Sequence, residues 1–239
     1  MHKNRFHGKA GKDYDLVRQA FPQFDEFEKA MVKTIKKQFK NSSIRKIKII
    51  EIGCGHGHTT FALLDSDKRV RVTAIDNEPI MIKQAKKNLK KFIKNHRVNL
   101  VKDDALKFLK KQKSNSFDIF ASDSTLHNFP KSMRRKTIEE IYRVLKFGGI
   151  FVNVDKYAHD DESEHKKYFD LRLKQFREEF TKINRPDLAE EWIKHNTQDN
   201  KSNIIMKQGE SIKDMKKIGF KEPRIVVRKE MDAVMFAFK

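Results

Sequence analysis

Three glycines at alternate positions follow an acidic residue in EIGCGHG, Glu51 to Gly57. The spacing Gly53-x-Gly55-x-Gly57 lets backbone N–H groups approach a ligand closely, and a helix opening there adds its positive end, which favours a negatively charged group. Asp76 follows at roughly the 20-residue separation at which a carboxylate can accept hydrogen bonds from both hydroxyls of a ribose. AIDNEP therefore reads as a nucleoside clamp, although an aspartate there can also cap a helix starting at Glu78 and Pro79. A dinucleotide fingerprint places its third glycine one position later, so the spacing argues against a nicotinamide dinucleotide.

Proton chemistry has fewer candidates. Imidazole titrates near neutral pH, and His127 and His195 are the candidate general bases, with Asp199 as a possible partner. Each can equally be a hydrogen-bonding side chain that only shapes a site. Cys54 sits between glycines, where a small buried residue serves packing more readily than nucleophilic chemistry. His159, Asp160, Asp161, Glu162 and His165 cluster without a fixed ligand spacing and read as a polar helix start, so no metal is expected.

The elements that must position these residues alternate along the chain. KIKIIEI (46–52), VRVTAI (70–75), RVNLV (97–101), FDIFAS (117–122) and GIFVNV (149–154) are β-branched runs that predict five strands in doubly wound order. Between them FALLDS, IMIKQAKKNLKKFIKN, ALKFLKKQ and KSMRRKTIEEIYRVLKF carry apolar residues at helical spacing, such as Ile82, Ala85, Leu89 and Phe92. Residues 157–206 break the alternation with helices around YFDLRLKQFREEF and PDLAEEWIKH, an expected lid or substrate-recognition insertion. SIKDMKKIGF then predicts a helix ending at Gly219, followed by a hairpin of EPRIVVRK and DAVMFAFK. LVRQAFPQFDEFEKAMVKTIKKQF predicts one or two helices before the sheet. The expected organisation is an N-terminal helical cap (1–45), a core (46–156), the insertion (157–206) and a closing helix and hairpin (207–239).

Composition bounds the setting. The 239 residues suit one α/β domain with an elaborated region. No apolar run approaches the roughly 20 residues a membrane-spanning helix needs. The start, MHKNRFHGKAGKDYD, lacks the apolar stretch of a secretory signal, and Cys54 has no second cysteine to pair with, so a cytoplasmic location is expected and no membrane partner. The formal charge of +20 would attract a polyanion, and Lys83, Lys87, Lys90 and Lys94 form a basic stripe. Only 14 of the 53 basic residues are arginine, which equally fits a lysine-rich solvated surface.

The ordered set EIGCGHG, AIDN, KDDAL, SDSTLHNFP and RVLKFGGIFVNVD resembles the class I S-adenosylmethionine-dependent methyltransferase superfamily, over nearly all of the chain from Tyr14 to Lys239. The resemblance implies a Rossmann-like, seven-stranded, mostly parallel sheet with helices on both faces and a C-terminal antiparallel hairpin. It implies S-adenosyl-L-methionine as cofactor, S-adenosyl-L-homocysteine as product, and methyl transfer as the reaction. On it, Glu51, Gly53, Cys54, Gly55 and Gly57 shape the amino-acid end of the cofactor site and Asp76 and Asn77 hold ribose. Asp104 with Ala105 reaches adenine, Asp103 being the alternative if the register moves by one, and Asp123 belongs to the segment after strand four.

YDLVRQAFPQF, TLHNF and WIKHNTQD followed by MKKIGF are similar to the branch holding carboxy-S-adenosylmethionine synthase and methyltransferases of tRNA wobble uridine. The synthases place an arginine before the final Gly-Phe, where this chain has Asp214, which favours ordinary methyl transfer. The expected acceptor is a small molecule, with Phe129, Tyr157 and Trp192 as aromatic walls or core. A tRNA-modifying enzyme is the alternative, with RNA as partner, and an inactive cofactor-binding adaptor is the alternative of another class. Monomer and homodimer both remain open.

Overall fold

The segments rich in isoleucine, valine and phenylalanine pair into one sheet. The strands are β1 Ile47–Ile52, β2 Val70–Asp76, β3 Val98–Lys102, β4 Phe117–Asp123, β5 Leu145–Lys156, β6 Lys221–Lys229 and β7 Asp232–Phe238. These coordinates are a computed structural model that describes residues 14–21 and 23–239. Positions 1–13 of the expected N-terminal cap, and Pro22, lie outside the described residues. The sheet order is β3-β2-β1-β4-β5-β7-β6. β1 pairs in parallel with β2 and β4, β2 with β3, and β4 with β5, whereas β7 is antiparallel to both β5 and β6. This is the Rossmann-like sheet and closing hairpin expected from the sequence.

Because side chains alternate across a strand, neighbouring residues feed opposite layers. Ile49, Val72, Ile119 and Val152 pack on one face against α2 (Gln23–Phe39), α3 (His58–Ser66) and α4 (Pro79–Asn88), through Met31, Leu63 and Ala85 among others. Ile50, Ile52, Phe120 and Phe151 pack on the other against α6 (Ala105–Lys111), α7 (Lys131–Val144) and α10 (Gln208–Ile218), through Leu109, Ile141 and Met215. β4 is buried along six of its seven residues, the pattern of a parallel strand covered on both faces.

A third apolar cluster joins α1 (Tyr14–Ala20) to two helices that follow β5, α8 (Glu162–Lys182) and α9 (Pro186–Asp199). Val17 and Phe21 meet Phe176, Phe180 and Leu188 there. The side chain of Asp161 accepts from the Glu164 N–H and caps α8, as the polar helix start required.

Two elements differ from the periodicity. The long helix expected after β2 is interrupted at the buried Leu89, so that α5 (Lys90–Lys94) is a separate turn, and Asn88 Nδ2 instead donates to His56 O at 3.0 Å. The helix expected to run through Lys146 and Phe147 stops at Val144 because Leu145 is already extended and pairs with Phe117. A register shift within that pair then accommodates Gly148, which has φ +75°.

Candidate active site

The glycine turn leaves β1 in a left-handed backbone, with φ +66° at Gly53 and +91° at Gly57. Each position also lacks room for a side chain: a Cβ on Gly53 would lie 2.0 Å from Thr125 Oγ1, and one on Gly57 2.9 Å from Leu89 Cδ1. Gly53 thus lets the tips of β1 and β4 approach, while Gly57 lets α3 begin against the Leu89 side chain.

Asp76 faces this turn from the end of β2. Its Oδ2 accepts the Gly55 N–H and its Oδ1 the Glu78 N–H, both at 2.8 Å. The side chain therefore closes the turn and caps the chain entering α4 at once. Each oxygen has spare acceptor capacity, so the carboxylate can still receive hydroxyls. Burial raises the Asp76 carboxyl, opposed by hydrogen bonds from Glu78, Gly55 and Asn77.

The turn opens onto a cleft of about 530 Å³. Gly53, Cys54, Gly55, Asp76, Asn77, Asp103, Asp104, Ala105 and Asp123 all line it. Asp104 caps α6 by accepting from the Lys107 N–H at 2.9 Å, while Asp103 pairs with Lys111 at 2.8 Å. Both aspartates of the uncertain register therefore belong to the same wall. The cleft sits beyond the carboxyl ends of β1 and β4, where the strand order reverses direction, the usual ligand crevice of an open α/β sheet.

Two residues of the expected set stand behind the wall. Gly57 does not line the cleft, and Glu51 is buried at 1% exposure, accepting the Thr60 hydroxyl at 2.7 Å. Burial pushes the Glu51 carboxyl up to about 8, against the hydrogen bond of Thr60 and with the nearby charges of Asp123, Glu28 and Asp76 adding to the rise. Cys54 is a buried free thiol raised well above its ordinary value by burial and then by Glu51 and Asp76. It is a protonated packing group rather than a thiolate.

One end of the cleft carries groups that periodicity did not single out. Arg18 of α1 lies 3.5 Å from Asp123 and 3.3 Å from Glu28, and also bonds Asp25 at 2.5 Å. His58 Nδ1 is 2.6 Å from Glu28 Oε2, and Thr59 Oγ1 donates to Asp123 at 3.2 Å. Burial raises the Asp123 carboxyl to about 6, with Arg18 and the Ser124 hydroxyl pulling the other way. Arg18 lies within YDLVRQAFPQF, but no local pattern marks it, because only the fold carries α1 to the tip of β4.

His127 and His195 come together, and away from that cleft. His127 lies in a 3₁₀ turn, Leu126–Asn128, whose neighbours Thr125 and Asn128 line the cleft while the imidazole does not. Its Nδ1 is hydrogen-bonded to the buried Asp155, and its Nε2 is 3.7 Å from Asp199 Oδ2. His195 Nε2 is 3.6 Å from the same oxygen, and Lys156 Nζ donates to it at 2.5 Å. Burial alone would raise Asp199, but Lys156, His127 and His195 together hold it far below the usual carboxylate range. Of the expected aromatic walls, Phe129 lines the cleft, Tyr157 is a core residue receiving Asn153 Nδ2 at 2.8 Å, and Trp192 packs with Phe176 and His195.

Residues 44–220 match the family model described as a methyltransferase domain. The chain belongs to that family. Demethylmenaquinone methyltransferase of Leptospira interrogans is 29% identical to this methyltransferase domain over 152 residues, covering 60% of this chain and 59% of the relative. The match therefore spans about three fifths of that relative's length. Carboxy-S-adenosyl-L-methionine synthase of Nautilia profundicola is 26% identical over 234 residues, covering 94% and 89% of the two chains. The YcgJ protein of Bacillus subtilis superposes with a TM-score of 0.58 at 19% identity, over 83% of this chain and 70% of its own, and shares the fold. Among the described residues no helix is long and apolar enough to cross a membrane.

Proposed function

We propose that this methyltransferase domain binds S-adenosyl-L-methionine in the cleft above β1 and β4 and transfers its methyl group to a small-molecule acceptor. The observation that carries this reading is the distribution of charge along one cleft. A carboxylate for ribose hydroxyls, Asp76, stands at one wall, and an anion–cation pair, Asp123 with Arg18, stands at another. That pair complements a zwitterionic amino-acid end: Asp123 suits an ammonium and Arg18 a carboxylate. Gly55 has no atom within 4 Å of where a Cβ would stand, which leaves its backbone open to the ligand. The wall of Asp103, Asp104 and Ala105 is left for adenine.

When bound, S-adenosylmethionine supplies a sulfonium whose methyl carbon is already electrophilic. The protein's own work is then positioning, since alignment of a nucleophile for in-line attack removes much of the barrier. Thr125, Asn128, Phe129 and Met133 line the same cleft and are the residues proposed to orient the acceptor. For an acceptor that carries a proton on its nucleophile, His56 and His58 both stand on the cleft wall, and His58 is the one with Glu28 behind its Nδ1 to stabilise the imidazolium. His127 and His195, not being on that wall, are not assigned this role. Asp214, standing in α10 where the synthases have an arginine, supports methyl rather than carboxymethyl chemistry. The lone Cys54 supports a reducing, cytoplasmic setting.

Incubation with labelled S-adenosylmethionine and separated metabolite, RNA and protein fractions tests the proposal, the label being expected among metabolites. Absence of measurable S-adenosylmethionine binding by calorimetry would remove it. A tRNA-type acceptor is favoured by one observation: Lys83, Lys87, Lys90 and Lys94 are all solvent-exposed along α4 and α5. That reading requires label in RNA and affinity that falls steeply with salt.

A further inference from the structure

We propose that His127, His195 and Asp199 form a binding site for a divalent first-row transition-metal ion, joining the sheet to the helical insertion. The ligating atoms of the three side chains lie within 4.8 Å of one another. His127 Nε2 and His195 Nε2 stand 3.7 and 3.6 Å from one carboxylate oxygen, Asp199 Oδ2. Two ligands bound at about 2.1 Å and separated by about 120° around an ion would be this far apart. Two imidazoles and one carboxylate form a donor set suited to zinc, iron, cobalt or nickel, with positions left for water.

Three features go beyond proximity. His127 Nδ1 is bonded to Asp155, which also receives the His127 backbone N–H at 3.2 Å and the Lys156 N–H at 2.9 Å. A carboxylate behind one ring nitrogen fixes the tautomer and turns the other nitrogen outward as a ligand, the usual support of a metal-bound histidine. His195 and Asp199 are separated by one helical turn on α9, so they project from the same side of the helix. A cavity of about 20 Å³ lies against His127, Lys156 and Asp199, enough for one small species.

Lys156 Nζ now neutralises Asp199 from 2.5 Å, and it competes for the oxygen a metal would take. This fixes the sign of a test that a purely structural latch would fail. Removing the ammonium in Lys156→Met should tighten metal binding, whereas the latch reading predicts only a weaker hold on α9. The site does not depend on the function proposed for the large cleft.

The experiment is titration of the untagged full chain with Zn²⁺ by calorimetry and with Co²⁺ by visible absorption. One ion per chain is expected, with the Co²⁺ bands of a mixed nitrogen and oxygen site. Asp155→Asn should weaken binding about 10- to 100-fold, and the double variant His127→Ala/His195→Asn should abolish it. His159→Gln, outside the cluster, should leave it unchanged, and circular dichroism confirms that each variant is folded. No stoichiometric binding by the wild-type chain, wild-type affinity in the folded double variant, or no gain in Lys156→Met would overturn the site.

Discussion

Gly55 donates its backbone N–H to Asp76 Oδ2 at 2.8 Å, tying the tip of β1 to the tip of β2. One carboxylate thus fixes the glycine turn and faces the cleft that the turn shapes. Asp76→Ala should lower S-adenosylmethionine affinity by about 100-fold or more, since two hydrogen bonds to a charged acceptor contribute about 1.5–3 kcal/mol each. It should also cost about 1–3 kcal/mol of stability through the unsatisfied Gly55 and Glu78 donors. Calorimetric titration and thermal unfolding read the two effects separately, and an unchanged affinity in a folded variant contradicts the placement of ribose.

Affinity should depend on pH through Asp123. Its carboxyl is raised to about 6 by burial, and a ligand ammonium pairs only with the ionised form. Binding is therefore expected to be level above about pH 7 and to weaken about tenfold by pH 5, one unit below that value. Asp123→Asn should flatten the profile and bind weakly throughout. A wild-type titration series with no change across this range assigns the ammonium to another partner.

Glu51 should act on stability in the opposite pH range from most carboxylates. Its folded value of about 8 lies above the ordinary 4.5, so between these the unfolded chain has released a proton that the folded chain still holds. Stability is then fullest below about pH 4.5 as far as this group is concerned, falls as pH rises to about 8, and is level beyond. Glu51→Gln keeps an acceptor for the Thr60 hydroxyl and removes the slope, at most on the order of 1.4 kcal/mol per pH unit. Melting temperatures should diverge in favour of the variant from pH 5 to about 8 and keep a constant separation above that; parallel curves between about pH 5 and 8 would place the proton elsewhere.

α8 is anchored to the sheet by a buried ion pair, Arg172 Nη2 to Asp232 Oδ2 at 2.6 Å, at the start of β7. Removing one partner strands the other without solvent. Arg172→Ala is expected to destabilise by about 3–5 kcal/mol, whereas Arg172→Met with Asp232→Leu should recover most of the loss. Denaturant unfolding of the two variants decides it, equal losses in both pointing to packing rather than charge.

Much of this geometry was legible because its signals are local. The β-branched runs marked the strands to within a few residues, apart from the early start of β5, and the glycine triplet with Asp76 marked the facing tips of β1 and β2. Arg18, Glu28 and His58 were not legible as a group, since their meeting requires two helices from before the sheet to cross the end of β4. The outward turn of His127 was hidden for a similar reason. Its direction is set by Asp155, a residue 28 positions away that only the pairing of β4 with β5 brings near. The meeting of Asp199 with Lys156 and His127 likewise depends on where α9 docks, which helical spacing does not reveal.

β7 lies between β5 and β6 although it is the latest of the seven strands in sequence. During synthesis the open edge of β5 must therefore wait while α8, α9, α10 and β6 emerge, and only then can it be covered. Until that moment a row of unsatisfied backbone groups beside Val152 and Val154 is available to any other extended chain. The late strand makes this protein most vulnerable to mispairing at the ribosome, and a nascent chain arrested before Asp232 should be the form that chaperones hold longest.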